Sequence, residues 1–143
     1  MSTRLKTAFA AAAAFLFATS ALAATYTVPT SKYPTIQAAL DACNVNGDEV
    51  VVSPGIYFEN NLDFQGKSIH LNSSSGNTVT IIDGQGSGTL LRFENEENNE
   101  AIIEGFTIRN GGTGIRIEDS SPTVRDCKII NCGATNGSAQ GGI

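Results

Sequence analysis

Charged residues on the predicted outward faces of short strands are the first candidates for chemistry in this sequence. Arg116, Glu118 and Asp119 share one such face, and Glu104 and Arg125 lie on another. Two carboxylates beside an arginine could bind Ca²⁺ and withdraw a proton next to a uronate carboxylate. Glu118 and Asp119 are therefore the calcium candidates. The simpler interpretation is that these charges only keep an outward face solvated.

Two further polar features are predicted to be structural. The segment from Phe93 to Glu100 is rich in carboxylates but lacks the glycine and the ligand spacing of a calcium loop, which predicts a solvated loop between turns. His70 is the only histidine and alternates with Ile69 and Leu71, so its imidazole is expected to face outward without partners. No hydrolase triad and no other catalytic residue can be assigned.

Asparagines and cysteines complete the list of reactive or polar side chains. Asn72, Asn110 and Asn131 close strands in related units, and their amides are expected to bond the backbone of turns. The three cysteines are Cys43, Cys127 and Cys132. Their odd number suggests a free thiol or a partner outside this piece, and none has a metal-ligand spacing. The expected role of Cys127 is that of a small buried apolar residue.

The first 23 residues have the composition of an export signal. Two basic residues precede an apolar run of eleven, Ala8 to Ala18, and Ala21 to Ala23 is a small-x-small cleavage site. The apolar run is shorter than the roughly 20 residues of a spanning helix. We therefore expect a signal peptide over residues 1–23, a mature chain that begins near Ala24, no membrane span, and a secreted, periplasmic or cell-surface location.

The charge of the mature chain bears on its partners. Without Arg4 and Lys6, seven basic residues face fourteen acidic ones, a formal charge of −7. No basic patch is present to contact phosphates, so nucleic acid is not expected as a partner. The remaining residues, about 120, suffice for one domain with a core.

A single helix is predicted near the start of the mature chain. Ile36, Ala39, Leu40 and Cys43 follow the i, i+3, i+4, i+7 pattern of one apolar stripe, and Thr35 is a suitable N-cap. Short strands separated by turn residues follow it: Glu49–Val52, Ile56–Glu59, Ser68–Leu71, Thr78–Ile82, Leu90–Phe93, Ala101–Glu104, Phe106–Arg109, Ile115–Glu118, Thr123–Arg125 and Cys127–Ile130.

The sequence contains an internal repeat. Ala101–Asn110 aligns without a gap with Pro122–Asn131, at an offset of 21 residues. The matched pairs are Ile103 with Val124, Phe106 with Cys127 and Ile108 with Ile129, all inward, Gly105 with Asp126 at a corner, and Glu104 with Arg125 in an outward ionic contact. A weaker copy, Leu62–Asn72 with Gly66 as its bend, lies 39 residues before Gly105. That distance allows two compact turns or one turn with long loops.

The repeat predicts the fold. Single corner residues that tolerate a left-handed backbone turn the chain without reversing it, unlike the two-residue loops of hairpins. Rungs of about 21 residues then stack in parallel, and the helix caps the first rung. We predict an all-β, right-handed parallel β-helix (solenoid) with a short N-terminal capping α-helix, with a sandwich as the alternative. Gly141–Ile143 reads as the start of another strand, so residues 24–143 are expected to be the N-terminal part of a domain truncated at its C-terminal end.

Four segments resemble the pectin-lyase-like superfamily: Tyr33–Cys43, Gly47–Asn60, Thr80–Gly84 and Gly105–Asn110. The most similar members are bacterial exported right-handed β-helix repeat proteins, some of them labelled probable pectate lyase. The resemblance covers Thr25–Ile143 and implies the fold. The catalytic residues of the superfamily's enzymes, and the tryptophans of its polygalacturonases, have no counterparts here.

Two functions are expected from these observations. The first is an exported β-helix repeat protein that presents an elongated face to polysaccharide or to a cell-surface component, without catalytic residues in this segment. The alternative is a polysaccharide lyase of the pectate-lyase type, which would cleave polyuronate by calcium-dependent β-elimination and carry its catalytic rungs beyond Ile143. Ca²⁺ is the expected cofactor only for the lyase.

Overall fold

Short strands separated by tight corners make up most of the chain. The structure is a computed structural model that describes residues 20–133, together with residues 14 and 16. Over these residues the chain forms one short helix and twelve strands. The elements are β1 (Thr25–Val28), α1 (Ile36–Ala42), β2 (Glu49–Val52), β3 (Gly55–Tyr57), β4 (Leu62–Asp63), β5 (His70–Ser73), β6 (Thr80–Asp83), β7 (Thr89–Phe93), β8 (Ile102–Glu104), β9 (Thr107–Arg109), β10 (Thr113–Ile117), β11 (Thr123–Arg125) and β12 (Lys128–Ile130).

The strands form three sheets that wrap around a common core. The sheets have five, four and three strands, in the orders β1-β2-β5-β8-β11, β3-β6-β9-β12 and β4-β7-β10. Within each sheet, neighbouring strands pair in parallel, and they come from successive turns of the coil. The chain makes about four turns. The predicted all-β parallel β-helix is therefore confirmed, and the right-handed sense of the coil stays a prediction.

The 21-residue repeat is confirmed by the strand register. Ile103 pairs with Val124 in the five-stranded sheet, and Ile108 pairs with Ile129 in the four-stranded sheet. Gly105 and Asp126 both have positive φ angles, 81° and 47°, as expected of matching corners. Because the offset is constant through both strands, the corner between them has the same length on both turns.

The alignment of the upstream copy is wrong. Leu71 pairs with Ile103 at an offset of 32 residues, which places Ser73, and not Gly66, next to Gly105. Gly66 instead lies against the next turn at Asn95, whose carbonyl oxygen would be 2.9 Å from a Cβ at Gly66. The two glycines therefore occupy different corners of the coil. The unequal length of the loops between turns, which the sequence pattern does not reveal, is the physical reason.

The predicted helix caps the first turn. The hydroxyl of Thr35 accepts a hydrogen bond from the backbone N–H of Ala38 at 3.1 Å, as expected of the N-cap. Glu59 accepts two more, from the N–H groups of Ile36 and Gln37, at 2.8 and 3.1 Å. The apolar stripe of α1 is fully buried against β1, β2 and β4. Burial of this stripe closes the core at the start of the coil.

Strands β1 and β4 are absent from the sequence-based prediction. In β1 the alternation of threonine with tyrosine and valine is a strand signal that the sequence does carry. Strand β4 has only two residues, too few for any periodic pattern. Its existence depends on the pairing of Leu62 with Leu91 one turn later.

Inward residues of successive turns form one continuous core. Ile103, Phe106 and Ile108 are fully buried, as predicted. Their matches one turn later are half-buried and pack against that core, including Cys127, whose thiol pKa is raised by burial. Cys43 is buried and its thiol pKa is raised to about 11, chiefly by burial. The three cysteines are free.

Both ends of the sequence carry predictions that fall beyond the described residues. Most of the predicted signal peptide and the whole of Gly141–Ile143 lie there. Within the part of the chain that the structure describes, no helix has the length and apolar character needed to cross a membrane.

Candidate functional site

The outward face of the five-stranded sheet brings polar residues from four strands into two rows. Parallel pairing places Glu49 beside His70, and His70 beside Ile102. In the second row, Asn72 lies beside Glu104, which lies beside Arg125. Because side chains alternate between the two faces of a strand, these residues point away from the core. Hydrogen-bonded strands lie about 4.8 Å apart, so neighbouring residues within one row are separated by about this distance.

Glu104 joins three successive turns on this face. Its Oε2 atom lies 2.9 Å from Nε2 of His70 and 2.8 Å from Nη2 of Arg125. The hydrogen bond from His70, together with the Arg125 charge, lowers the pKa of Glu104 despite partial burial. The predicted ionic contact with Arg125 is confirmed. The expectation that His70 lacks partners is wrong, because the sequence does not show that a 32-residue turn brings Glu104 beside it.

Asn72 also lies within this face and not in a turn. It belongs to β5, and its side-chain amide donates a hydrogen bond to Oε1 of Glu49 one turn below. The turn prediction is therefore wrong for Asn72. Asn110 and Asn131 do occupy corners, with φ angles of 56° and 52°. The Asn110 amide, however, bonds the carboxylate of Asp83 at 3.0 Å, whereas a backbone partner was expected.

A groove of about 750 Å³ runs beside these rows. Its polar lining is made of carboxylates, amides and hydroxyls: Glu49, Glu104, Asp126, Asn72, Asn77, Ser73, Ser74 and Thr78. The loop that follows β5 forms one wall. Asn77 holds this wall against later turns. Its side-chain amide donates to the backbone carbonyl of Asp126 at 2.8 Å, and its backbone carbonyl accepts from Oγ1 of Thr107 at 2.7 Å. The sequence gives no sign of this wall, because the two partners of Asn77 lie 49 and 30 residues away from it along the chain.

The calcium candidates lie on a different face. Arg116 on β10 contacts Glu118 at 2.6 Å and Glu94 at 2.9 Å, so the Glu118 carboxylate is already bound to a guanidinium. Asp119 is exposed at a corner with a φ angle of 48°. Among the described residues, no group of three or more His, Cys, Asp or Glu side chains is arranged to hold a metal ion. Calcium binding by Glu118 and Asp119 stays a prediction.

The acidic segment after β7 is not uniformly solvated. Glu97 is 2% exposed and accepts hydrogen bonds from the backbone N–H of Gly66 at 2.8 Å, Asn95 at 2.9 Å and the hydroxyl of Ser120 at 2.9 Å. Burial alone would raise its pKa, but these hydrogen bonds outweigh burial and lower it. Glu97 thus ties three turns together, which corrects the prediction of a wholly solvated loop.

A second buried carboxylate, Asp83, stabilises the corner after β6. Arg109 Nε lies 2.7 Å from its Oδ2, and the backbone N–H of Gln85 donates to its Oδ1 at 2.9 Å. Burial alone would raise the pKa of Asp83. The hydrogen bonds from Gln85, Arg109 and Asn110 outweigh burial, so the pKa is lowered. The fold thus engages both oxygens of this carboxylate.

Fold and groove together define the class of this protein, a parallel β-helix with a polar groove beside its largest sheet. No protein-family model, curated protein or solved structure matches the chain. Membership of the pectin-lyase-like superfamily therefore stays a prediction.

Proposed function

We propose that this protein is exported and binds a polysaccharide chain in the groove beside the five-stranded sheet. The observation that carries the proposal is the lining of that groove by carboxylates, amides and hydroxyls. Sugars present many hydroxyl groups, each a donor and an acceptor, and such side chains are matching partners. The volume, about 750 Å³, falls within the usual range of ligand sites.

Preorganised side chains favour binding along the coil. Asn72 is held by Glu49, and Glu104 is held by His70 and Arg125. Because these contacts exist before any ligand arrives, little side-chain entropy is lost on binding. A linear polymer that runs across successive turns would meet these groups in sequence.

The charge of the groove bears on the type of sugar. Of the residues that the structure describes, three carboxylates and no lysine or arginine line it, and the nearby Arg125 is bound by Glu104. Polyuronate would bring its own carboxylates into this negative field. Neutral or amine-bearing glycans are therefore the favoured ligands, which weighs against the pectate-lyase alternative for these turns.

The test is a groove-blocking variant with a matched control. Ser74 is exposed and lines the groove, whereas the exposed Ser87 lies in a different corner. A panel of neutral, amine-bearing and uronate oligosaccharides would be titrated by calorimetry against the wild type, Ser74→Trp and Ser87→Trp. We expect binding to be lost only in Ser74→Trp. If no oligosaccharide binds the wild type, or if both variants bind equally well, the proposal fails.

A separate assay addresses the lyase alternative. Polygalacturonate would be incubated with the protein and Ca²⁺ while ultraviolet absorbance reports unsaturated products. Binding without product supports the proposal, and a sustained rise in absorbance would replace it with β-elimination.

A further inference from the structure

A buried carboxylate lies beside the predicted end of the signal peptide. Asp48 is fully buried, and its Oδ1 accepts a hydrogen bond from the backbone nitrogen of Ala24 at 2.8 Å. Its Oδ2 accepts from the backbone N–H groups of Asn44 and Val45, at 2.9 and 3.0 Å. The nitrogen of Ala24 is the atom that cleavage after Ala23 would release as a new N-terminus.

No cation from the described part of the chain pairs with this carboxylate. Among the described residues, no Lys, Arg or His nitrogen lies within 4.0 Å of Asp48. Burial alone would raise the pKa of Asp48, but the hydrogen bonds from Ala24, Val45 and Asn44 outweigh burial and lower it. The group is therefore ionised at neutral pH. A buried carboxylate with only neutral donors is strongly stabilised by a positive charge at the same distance.

We propose that cleavage of the Ala23–Ala24 bond supplies the missing charge, and that the new ammonium group of Ala24 pairs with Asp48. A signal peptidase hydrolyses the bond with one water molecule, which leaves the carboxylate on Ala23 of the released peptide and the amine on Ala24. The amine takes up a proton at neutral pH. The nitrogen already lies at hydrogen-bond distance, so cleavage changes its charge without a need to move it.

The surroundings accept an ammonium group at this position. Ala24 is exposed, so the two additional N–H donors can be hydrated. Within residues 20–133, the other titratable groups that interact with Asp48 are the Tyr26 hydroxyl and the Cys43 thiol, and the pKa of each is raised, first by burial and then by Asp48. Both groups are neutral near pH 7. They neither compete with the ammonium group nor replace it.

The ion pair would join three elements at the start of the coil. Asp48 precedes β2, Ala24 precedes β1, and Asn44 and Val45 follow α1. Strand β1 is the outermost strand of its sheet. Removal of the signal peptide would thus fasten the first strand to the rest of the coil. The mature protein is expected to be more stable than any form extended at Ala24.

The test compares two proteins that differ by one residue. The full chain is exported and its N-terminus determined by mass spectrometry, and a second form carries one extra glycine before Ala24. We expect cleavage between Ala23 and Ala24 and a Tm about 5 °C higher for the mature form at pH 6. An amine whose pKa is raised on folding stabilises fully below its unfolded pKa of about 7.7–8.0 and loses that effect as pH rises through the folded pKa. The difference in Tm should therefore vanish at high pH.

A second measurement does not depend on any variant. The pKa of the Ala24 amine, followed by NMR in the mature wild type, should lie above about 8.

Asp48→Asn should abolish the pH-dependent step in Tm, whereas the exposed control Asp119→Asn should keep it. Cleavage at another bond, equal Tm values for the two forms, or an amine pKa of about 7.7–8.0 would each overturn the proposal.

Discussion

A Cβ atom added to Gly105 would lie 2.7 Å from the hydroxyl oxygen of Ser73 one turn below. The φ angle of Gly105 is 81°, so this corner favours glycine for its backbone conformation, and a Cβ there would displace the Ser73 hydroxyl. The same contact shapes the groove, because Ser73 and Gly105 both line it.

Gly105→Ala is expected to lower the free energy of unfolding by about 2–3 kcal/mol, from backbone strain and the clash together. Gly86→Ala is the matched control, because Gly86 has a φ angle of 91° but no heavy atom within 4 Å of the added Cβ. It should cost about 1 kcal/mol. Urea unfolding measures both. Adding Ser73→Ala to Gly105→Ala should recover part of the lost stability. Equal losses of stability in Gly105→Ala and Gly86→Ala would contradict the steric explanation.

Glu97→Gln is expected to destabilise the protein by about 2 kcal/mol, because one carboxylate oxygen becomes an amide donor that faces other donors. The exposed neighbour Glu96 provides the control, and Glu96→Gln should change stability by less than about 0.5 kcal/mol. The comparison is made by thermal unfolding at pH 7. A similar small effect of both variants would mean that Glu97 does not tie the turns together.

Acid should unfold the protein through its hydrogen-bonded carboxylates. The pKa values of Asp83, Glu97 and Glu104 are lowered in the folded state. Each group therefore contributes stability above its unfolded pKa of about 4 and loses it as pH falls through the lower folded value. Tm measured from pH 7 to pH 3 should fall most steeply below about pH 4. Asp83→Asn should make that fall shallower, and a Tm that rises on acidification would contradict the assignment.

In the proposed function, groove charge should set the preference among glycans. Glu49→Gln removes one carboxylate from the lining, so the affinity for polyuronate should rise, by about threefold to tenfold at low salt. Glu118→Gln removes a charge from another face and should leave affinity unchanged. Calorimetric titrations at low and high salt measure both, and equal gains in the two variants would indicate an effect of net charge alone.

Cys43 should resist alkylation in the folded protein. Its thiol is buried with a pKa of about 11, so about one molecule in a thousand carries a thiolate at pH 8. Iodoacetamide followed by mass spectrometry should label Cys43 only after denaturation. Rapid labelling of Cys43 in the native state would show that α1 opens readily from the core.

Local sequence patterns determined the parts of this fold in which neighbouring residues carry the signal. The stripe from Ile36 to Cys43 is sufficient for α1, because a helix of this kind is defined by apolar residues three and four apart. The ungapped repeat placed Gly105 and Asp126 at matching corners, because equal turn lengths keep the register. The outward pair Glu104 and Arg125 followed from that register.

Only the tertiary structure decided which distant residues meet. His70 and Glu104 are 34 residues apart, and the carboxylate of Glu97 and the backbone of Gly66 are 31 apart. The turns between them have unequal loops, and loop length leaves no periodic signal in the sequence. The groove depends on the same long-range contacts. Sequence therefore determined the coil and its best-matched turns, whereas packing of one turn on the next decided the site, because a β-helix makes its surface from residues that are neighbours only across turns.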